Sequence, residues 1–207
     1  MIKFKSLLNG IGNIDQTNKY YDDWSSSYDN TLYSWNYKAP KKTVLVIKSN
    51  IKSPITNILD LACGTGLFAE EIKKIYPNII IDGIDISKRS IKEASNKKIY
   101  NNLLCRNFEN IDKKKKYNLV SLIGAMTYCQ DPKNFLLQIH NITKKNGYFI
   151  FTHRLDLWKK QDFSNLIISF SKKWKETYLS KPMVYLPKNK EFSNKIKIHI
   201  CLLKKIN

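Results

Sequence analysis

The amino-acid sequence predicts an α/β fold with one doubly wound, seven-stranded sheet that ends in an antiparallel strand. Three observations predict it. The 207 residues, 43% of them hydrophobic, suffice for one compact domain with its own core. Short β-rich runs alternate with helical patterns along most of the chain, as in a parallel sheet. The last two β-rich runs are separated only by a polar turn, as in an antiparallel hairpin.

The first predicted strand and the turn after it form the motif around which the chain is organised. Residues 55–61 are β-rich, Gly64 and Gly66 follow, and apolar residues recur at helical spacing from Leu67. The glycines suit a loop that bends tightly and approaches a ligand closely. Free N–H groups at the helix start can bind a polar or anionic group. Strand, glycine turn and helix are typical of the opening of a nucleotide-binding sheet.

Two classes of ligand compete for this loop. The spacing Gly64-x-Gly66-x-x-Ala69, with Asp85 further along, fits a dinucleotide site and hence an NAD-dependent oxidoreductase. Asp60, however, stands at the mouth of the loop, where a carboxylate repels a pyrophosphate and attracts an ammonium or sulfonium group. S-adenosylmethionine (SAM) has both cations and no phosphate. The residues therefore favour SAM, and the dinucleotide is the alternative.

The second predicted strand, residues 79–87, ends near Asp85. A carboxylate there can accept two hydrogen bonds from vicinal ribose hydroxyls, and its charge strengthens both. Asp82 lies within the strand and is not the expected ligand. Ser87 is placed as the N-cap of a helix over residues 88–100.

A short third strand is predicted over residues 103–106, a fourth over 117–123 and a fifth over 148–153. Ligands of doubly wound sheets bind outside the carboxyl ends of the strands. The loop from Gly124 to Tyr128 is therefore expected to face cofactor and substrate.

Two residues near those strand ends are candidates for catalysis. Tyr128 closes the loop after the fourth strand, and His153 follows the fifth strand, where it could serve as a general base. A plain loop position is the alternative for His153. No metal site is predicted.

Helices and a hairpin complete the predicted sheet. Pro132 suits the first position of a helix that runs to His140, which is expected on the surface. An amphipathic helix is predicted over residues 159–174. The runs 174–186 and 196–203 then supply the antiparallel sixth and seventh strands.

The N-terminal part of the chain is predicted to be an aromatic arm. Tyrosine and tryptophan bury a large area yet keep a polar handle, so they suit a lid over a ligand. Packing of the arm onto the core is the alternative. Residues 41–50 form a helix that leads to the first strand, so residues 1–50 are expected to be a helical arm and 51–207 the ligand-binding domain. The arm's aromatic residues are Tyr20, Tyr21, Trp24, Tyr28, Tyr33, Trp35 and Tyr37.

The glycine turn and the second strand resemble the class I SAM-dependent methyltransferases. Asp60-x-Ala62-x-Gly64-x-Gly66 is similar to motif I, although that family often has glycine where this chain has Ala62. Gly83-x-Asp85-x-Ser87 is similar to motif II. Lys145-Asn146-Gly147 is similar to the turn before the fifth strand of that family.

The arm narrows the resemblance to the Williams-Beuren syndrome region 27-like methyltransferases. The repeat Tyr21-Asp22-x-Trp24-x-x-x-Tyr28-Asp29 is followed by Trp35-x-Tyr37-x-Ala39-Pro40, and Tyr185-Leu186-Pro187 occurs near the end of the chain. The resemblance covers the chain from about Tyr20 onward.

The resemblance implies a Rossmann-like sheet, SAM as cofactor, and a set of residues that hold it. Tyr21 and Tyr28 would line the carboxylate end of SAM, and Asp85 would bind the ribose. Asn107 and Phe108 would contact the adenine. The expected cofactor-binding residues are Tyr21, Tyr28, Asp60, Ala62, Cys63, Gly64, Gly66, Asp85, Ile86, Asn107, Phe108, Ile123 and Gly124.

The sequence favours a small-molecule methyl acceptor. No appended substrate-recognition domain is expected, and the NPPY or DPPY motif that the family uses for exocyclic amines is not present in the sequence. The acceptor atom and the oligomeric state stay open. A catalytically silent methyltransferase-like module that binds RNA is the alternative from another class, although the intact glycine turn and Asp85 argue against it.

The net charge of +19 does not by itself indicate a nucleic-acid partner. Lysine supplies nearly all of it, and the only arginines are Arg89, Arg106 and Arg154. Recognition of bases and phosphates favours the planar fork of arginine. A solvated lysine-rich surface is the simpler interpretation, and the run 113–116 is expected to be a loop.

Composition also bears on the compartment. No stretch has the ~20 apolar residues that span a bilayer, and residues 1–14 lack the features of a secretion signal. An organellar presequence is left open. Four cysteines without CxxC spacing are typical of reduced thiols, so a cytoplasmic protein is expected.

Overall fold

The computed structural model describes residues 13–112, 114–192 and 195–206. Within these ranges, eight strands form one sheet. The strands are β1 (Asn57–Leu61), β2 (Ile80–Asp85), β3 (Asn102–Cys105), β4 (Tyr117–Leu122), β5 (Thr143–Arg154), β6 (Trp174–Leu179), β7 (Met183–Val184) and β8 (Lys197–Lys205).

The sheet has the strand order β3-β2-β1-β4-β5-β8-β6, and β7 pairs with β8 outside this path. Strands β1 to β5 are parallel, whereas β8 runs antiparallel to β5, β6 and β7. The direction in which successive strands are added reverses between β1 and β4. A crevice therefore opens beyond the carboxyl ends of these two strands, where doubly wound sheets bind ligands.

Helices cover both faces of the sheet and extend over one edge of the crevice. Short 3₁₀ turns occupy Ser25–Ser27 and Met126–Tyr128. The helices are α1 (Ile14–Trp24), α2 (Tyr28–Ser34), α3 (Ala39–Asn50), α4 (Leu67–Lys73), α5 (Lys88–Asn96), α6 (Pro132–Ile142), α7 (Leu155–Lys160) and α8 (Phe163–Ser169).

The predicted fold class is confirmed, with one difference in the number of strands. The run 174–186 was expected to be one strand, but it divides into β6 and the two-residue β7. Pro182 lies between them and has no N–H group to donate to a ladder, which accounts for the break.

Two helix predictions were wrong in extent. The helix predicted over 159–174 is instead the pair α7 and α8, interrupted at Asp162, which has a left-handed φ of 49°. The helix after Ser87 begins as predicted but ends at Asn96 rather than residue 100. Lys98 has a φ of 55° and turns the chain, so that Tyr100 reaches the glycine turn.

The turn predicted at residues 145–147 is a bulge within β5. Thr143 pairs with Tyr117 and Tyr148 pairs with Leu119, so four residues of β5 oppose a single residue of β4. Asn146 has a left-handed φ of 59°, which is tolerated best by glycine and asparagine.

Buried side chains form three clusters. One lies between the sheet and α6 to α8, and a second lies between the opposite face and α3 and α4. The third joins the arm to the segment after β7, through Trp24, Leu32, Leu186 and Phe192. His140, expected on the surface, is half-buried, because its ring packs edge-on against Trp174 with centroids 5.4 Å apart.

Three further predictions concern a secretion signal, a membrane span and the state of the cysteines. Residues 1–12, most of the segment in which no secretion signal is predicted, lie outside the described residues. Across the described part of the chain, no helix is both long and apolar enough to cross a membrane. All four cysteines have free thiols, and only Cys105 is exposed.

Candidate cofactor and acceptor site

Three adjoining cavities form one cleft beyond the carboxyl ends of β1, β2 and β4. The central cavity measures about 570 Å³ including its opening to solvent. A cavity at one end shares Tyr28, Ala62, Gly64 and Ile123 with it. The central cavity is lined by Thr17, Tyr21, Tyr28, Ala62, Gly64, Asp85, Ile86, Ser90, Phe108, Ile123, Gly124, Ala125 and Tyr128.

The glycine turn lies at the centre of this cleft. Gly64 has a φ of 54°, and its amide donates a 2.8 Å hydrogen bond to Oδ2 of Asp85. Ala62 also has a left-handed φ, 48°, a conformation that glycine adopts most easily. This explains why glycine is common at this position in the methyltransferases that the sequence resembles. Gly66 is different, because it lines none of these cavities. It caps α4, and a Cβ added to it would lie 3.1 Å from the ring of Tyr100.

Asp85 is held at the end of β2 by two backbone amides. Oδ2 accepts from Gly64, and Oδ1 accepts a 2.8 Å hydrogen bond from the amide of Ser87. Burial raises the pKa of Asp85 to about 6, and the two amides partly oppose that rise. Each oxygen keeps a lone pair for a further donor. The carboxylate is thus oriented towards the central cavity with capacity for two hydroxyl groups.

Asp60 lies in the end cavity, beside Tyr28 and Tyr37. Its side chain is only 1% exposed and accepts hydrogen bonds of 2.8 Å from the hydroxyls of Tyr100 and Ser121. Burial raises its pKa to about 7, although both hydroxyls lower it. This end of the cleft therefore favours a cation, because a cationic group would compensate the buried carboxylate.

The opposite end of the cleft is more apolar. Ile86 and Phe108 line the central cavity and the cavity beyond it, which Asn107 also lines. Oδ1 of Asn107 accepts a 2.9 Å hydrogen bond from the amide of Glu109 and keeps one lone pair. A flat ring with an amino group fits this chemistry.

The arm lies over the cleft and is fixed there by acidic residues. Tyr21 and Tyr28 line the central cavity, and Trp24 packs behind Tyr28 with ring centroids 4.5 Å apart. Asp22 accepts hydrogen bonds from the Ser87 hydroxyl at 2.6 Å and from the Arg89 amide at 3.1 Å.

Asp29 makes the second fixing contact of the arm. It accepts hydrogen bonds from the Thr65 hydroxyl and from Nζ of Lys97 at 2.7 Å. Lys97 also contacts Glu70 at 2.9 Å, so α2 is tied to both α4 and α5.

A second pocket, here called the side pocket, opens from the central cavity. It measures about 370 Å³ including its opening to solvent. It shares Tyr21, Gly124 and Tyr128 with the central cavity, and the hydroxyls of Tyr21 and Tyr128 are 3.0 Å apart. The side pocket is lined by Tyr21, Gly124, Thr127, Tyr128, Thr152, Arg154, Tyr185, Phe192 and Ile198.

Gly124 lies at the junction of the central cavity and the side pocket. Its φ of 84° is left-handed, and an added Cβ would lie 3.0 Å from the hydroxyl of Tyr37. Its amide donates a 2.7 Å hydrogen bond to the Thr152 hydroxyl. The backbone at Gly124 is thus fixed where the two pockets meet.

The prediction that His153 is a general base does not fit its position. Successive residues of a strand face opposite sides, so Thr152 and Arg154 line the side pocket and His153 points away from it. His153 is 1% exposed, packs against Phe163, and shares a 2.8 Å hydrogen bond with Gln161 through Nε2. Burial lowers its pKa to about 4.

The structure brings together most of the residues that the sequence singled out. Of the predicted site residues, only Gly66 and His153 lie outside these pockets. Sequence reasoning missed a further set, of which Asp22 and Asp29 were visible in the repeated Tyr-Asp pairs. The missed residues are Asp22, Asp29, Thr65, Tyr100, Ser121, Arg154 and Tyr185, whereas Tyr37 was expected only as part of the arm. In the described ranges no group of three or more His, Cys, Asp or Glu residues could hold a metal.

Comparison with known proteins assigns a family. The family model described as a methyltransferase domain matches residues 52–184. Methyltransferase-like protein 27 of Homo sapiens is 30% identical over 151 residues, which cover 70% of this chain and 60% of that protein. Malonyl-[acyl-carrier protein] O-methyltransferase 2 of Ilyobacter polytropus is 27% identical over 140 residues, which cover 66% of this chain and 53% of that protein. The match thus spans little more than half of each relative.

Solved structures share the fold. The plantazolicin methyltransferase BpumL, solved in complex with SAH, superposes with a TM-score of 0.63 at 17% identity, covering 95% of this chain and 92% of that one. The N-methyltransferase NodS from Bradyrhizobium japonicum has a TM-score of 0.59 at 13% identity, with 81% and 94% covered.

Proposed function

The chain belongs to the methyltransferase-domain family, and from that premise we propose that it transfers a methyl group from SAM to a small-molecule acceptor. The observation that carries the proposal is the pair of buried carboxylates in one cleft. Asp60 stands at one end and Asp85 at the centre, 1% and 8% exposed. A ligand with a cationic end and a ribose matches both.

The residues along the cleft fit SAM in order. Asp60 suits the ammonium end, Asp85 the ribose hydroxyls, and Ile86 with Phe108 the faces of the adenine. Solved structures of the same fold that contain bound SAH support SAM as the cofactor. A pyrophosphate would instead be repelled by Asp60, which argues against a dinucleotide.

SAM supplies, when bound, a methyl group on a positively charged sulfur. The chain's own contribution is to position the reactants and exclude water, because the charge is lost in the transition state and a dry site favours that loss. Tyr21, Gly124 and Tyr128 line both the cleft and the side pocket, so transfer would occur at this junction. The pKa of the Tyr21 hydroxyl is raised by burial, so that side chain stays neutral there.

The enclosure of the side pocket supports a small acceptor. Its walls come from the arm, the sheet and the C-terminal part of the chain, and they leave about 370 Å³ including the opening to solvent. A nucleic-acid acceptor is less well supported, because two residues of the lysine run are engaged within the fold. Lys115 contacts Asp82, and Lys116 contacts the carbonyl oxygen of Asn141. The buried free thiols favour a reducing compartment such as the cytoplasm.

Calorimetric titration with S-adenosylhomocysteine (SAH), and separately with NADH, tests the proposal. We expect micromolar SAH binding that is lost in Asp85→Ala, and no NADH binding. NADH binding without SAH binding would indicate an oxidoreductase. Binding of neither, together with RNA affinity that falls steeply with salt, would indicate a catalytically silent module.

A further inference from the structure

The side pocket contains a buried arginine, and we propose that Arg154 binds the carboxylate of an acidic methyl acceptor there. This inference rests on the proposed function, because it takes the side pocket to be the acceptor site. Of the chain's three arginines, Arg89 is exposed, Arg106 is half-buried and Arg154 is 6% exposed. Only Arg154 lines a pocket beside the cleft.

The guanidinium group of Arg154 is held in a fixed orientation. Nε and Nη2 donate to the two carboxylate oxygens of Asp156, at 3.1 and 2.6 Å. The guanidinium carbon lies 5.5 Å from the ring centroid of Phe192. Among the described residues, nothing accepts a hydrogen bond from Nη1. Arg154 therefore keeps N–H donors for a ligand, in a geometry that suits the planar fork of a carboxylate.

Asp156 pairs with one edge of the Arg154 guanidinium, through Nε and Nη2, and leaves the Nη1 edge uncompensated. The Asp156 side chain is 49% exposed, whereas that of Arg154 is 7% exposed, so water screens the carboxylate more than the guanidinium. A buried cation without full compensation is unfavourable. A ligand carboxylate in the side pocket would supply that compensation on the side facing away from Asp156.

The other polar groups of the side pocket agree with an anionic ligand. They are the hydroxyls of Thr127, Thr152 and three tyrosines, and no described lining residue is acidic. Burial raises the pKa of Tyr185 well above its ordinary value, so its hydroxyl stays protonated and can donate. An amine acceptor in its ammonium form would meet the positive charge of Arg154 and be disfavoured.

Fluorine NMR on the SAH-saturated protein can measure this preference without knowledge of the natural acceptor. The probes are two acid and amide pairs of matched shape, trifluoroacetate with trifluoroacetamide and 4-fluorobenzoate with 4-fluorobenzamide. Trifluoroacetate and trifluoroacetamide are small, so the difference between their affinities reports on charge and depends little on the shape of the pocket. We expect at least one acid to bind at least tenfold more tightly than its amide.

Three variants test whether Arg154 causes the preference. In Arg154→Met the acid and its amide should bind within twofold of each other. Lys159→Met removes the same charge from the exposed surface of α7 and should leave the preference unchanged. Arg154→Lys keeps the charge without the fork and should retain part of the preference, which also guards against misfolding of Arg154→Met.

SAH affinity, measured in wild type and in each variant, distinguishes a failure of the proposed function from a failure of the inference about Arg154. If every variant binds SAH but the acid preference is equal in wild type and Arg154→Met, the lysine-rich surface is the cause and the inference is wrong, while the proposed function stands. If the wild type does not bind SAH, both are wrong. If preference is lost in Arg154→Met and kept in Lys159→Met, Arg154 is the carboxylate-binding residue.

Discussion

The amide of Gly64 donates a 2.8 Å hydrogen bond to Oδ2 of Asp85, which joins the turn after β1 to the carboxylate that ends β2. The amide of Ser87 holds the other oxygen at the same distance. Both oxygens are therefore oriented before any ligand binds. Such orientation lowers the cost of ordering the site on binding.

Replacement of Asp85 by asparagine should weaken SAH binding by about 30-fold or more. One carboxylate oxygen becomes an amide nitrogen, which cannot accept from the Gly64 or Ser87 amide and cannot accept from a ribose hydroxyl. Calorimetric titration measures the affinity.

The matched control is Asp82→Asn, three residues earlier on β2. Asp82 contacts Lys115, Tyr117 and Asn101 and lines none of the pockets described above. We expect its SAH affinity to stay within about threefold of wild type, even if stability falls. Equal losses of affinity in the two variants would contradict a specific role for Asp85.

SAH affinity should depend on pH through Asp60. In the free protein its pKa is about 7, and a ligand ammonium binds the ionised form. Affinity should therefore fall as pH decreases through 7, by about tenfold or more between pH 8 and pH 6. Asp85, with a pKa of about 6, adds to the fall at lower pH. A smaller dependence in Asp60→Asn would identify the group, whereas an unchanged profile would exclude it.

Asp60→Asn should also stabilise the ligand-free protein at pH 8. The pKa of Asp60 is raised in the folded state, from 3.8 to about 7, so folded protein binds the proton more tightly and stability is lost as pH rises between these values. Asparagine does not ionise, so the variant does not lose stability as pH rises, and its amide can form hydrogen bonds with the Tyr100 and Ser121 hydroxyls. We expect a gain of about 2 kcal/mol at pH 8 and none at pH 4, from urea unfolding.

The ion pair between Asp29 of the arm and Lys97 should control how fast the cofactor binds and dissociates. Asp29→Asn removes the contact with Lys97 that ties α2 to α5. SAH should then associate and dissociate several-fold faster with a smaller change in affinity, as measured by stopped-flow fluorescence. The control is Asp23→Asn, whose side chain is 46% exposed and pairs only with exposed residues. A slower dissociation in Asp29→Asn would contradict this role for the arm.

Ala62→Gly should stabilise the protein slightly. A left-handed φ of 48° costs a non-glycine residue about 1 kcal/mol or more, and the greater freedom of glycine in the unfolded chain cancels about half of that gain. We expect a net gain of about 0.5 kcal/mol in chemical denaturation. A loss of more than about 1 kcal/mol would show that the methyl group of Ala62 packs favourably.

Local patterns were enough to predict where the residues at the centre of the cleft lie in the fold. The glycine turn, Asp60 and Asp85 are close in sequence to the strand ends that position them, so period and spacing placed them at those strand ends. Ser87 and Pro132 were also correct as markers of helix starts, because the start of a helix depends on residues within one turn.

Contacts between distant segments could not be predicted in the same way. Tyr100 donates to Asp60 across 40 residues and Asp29 meets Lys97 across 68, and no local period encodes such pairs. His153 was misplaced for a simpler reason. β5 continues to Arg154, and strand alternation then directs Thr152 and Arg154 towards the pocket instead.

The cluster that joins the arm to the segment after β7 makes these two end segments one structural unit, which can be exchanged separately from the middle of the chain. The cleft takes most of its lining from residues 60–124, whereas the side pocket draws Tyr21 from the N-terminal arm and Tyr185, Phe192 and Ile198 from the C-terminal part. The two end segments pack on each other, so they should be transplanted together. Chimeras that exchange both segments among relatives, but keep Tyr21 and Tyr28 because they also line the cleft, should alter acceptor choice and retain the cofactor.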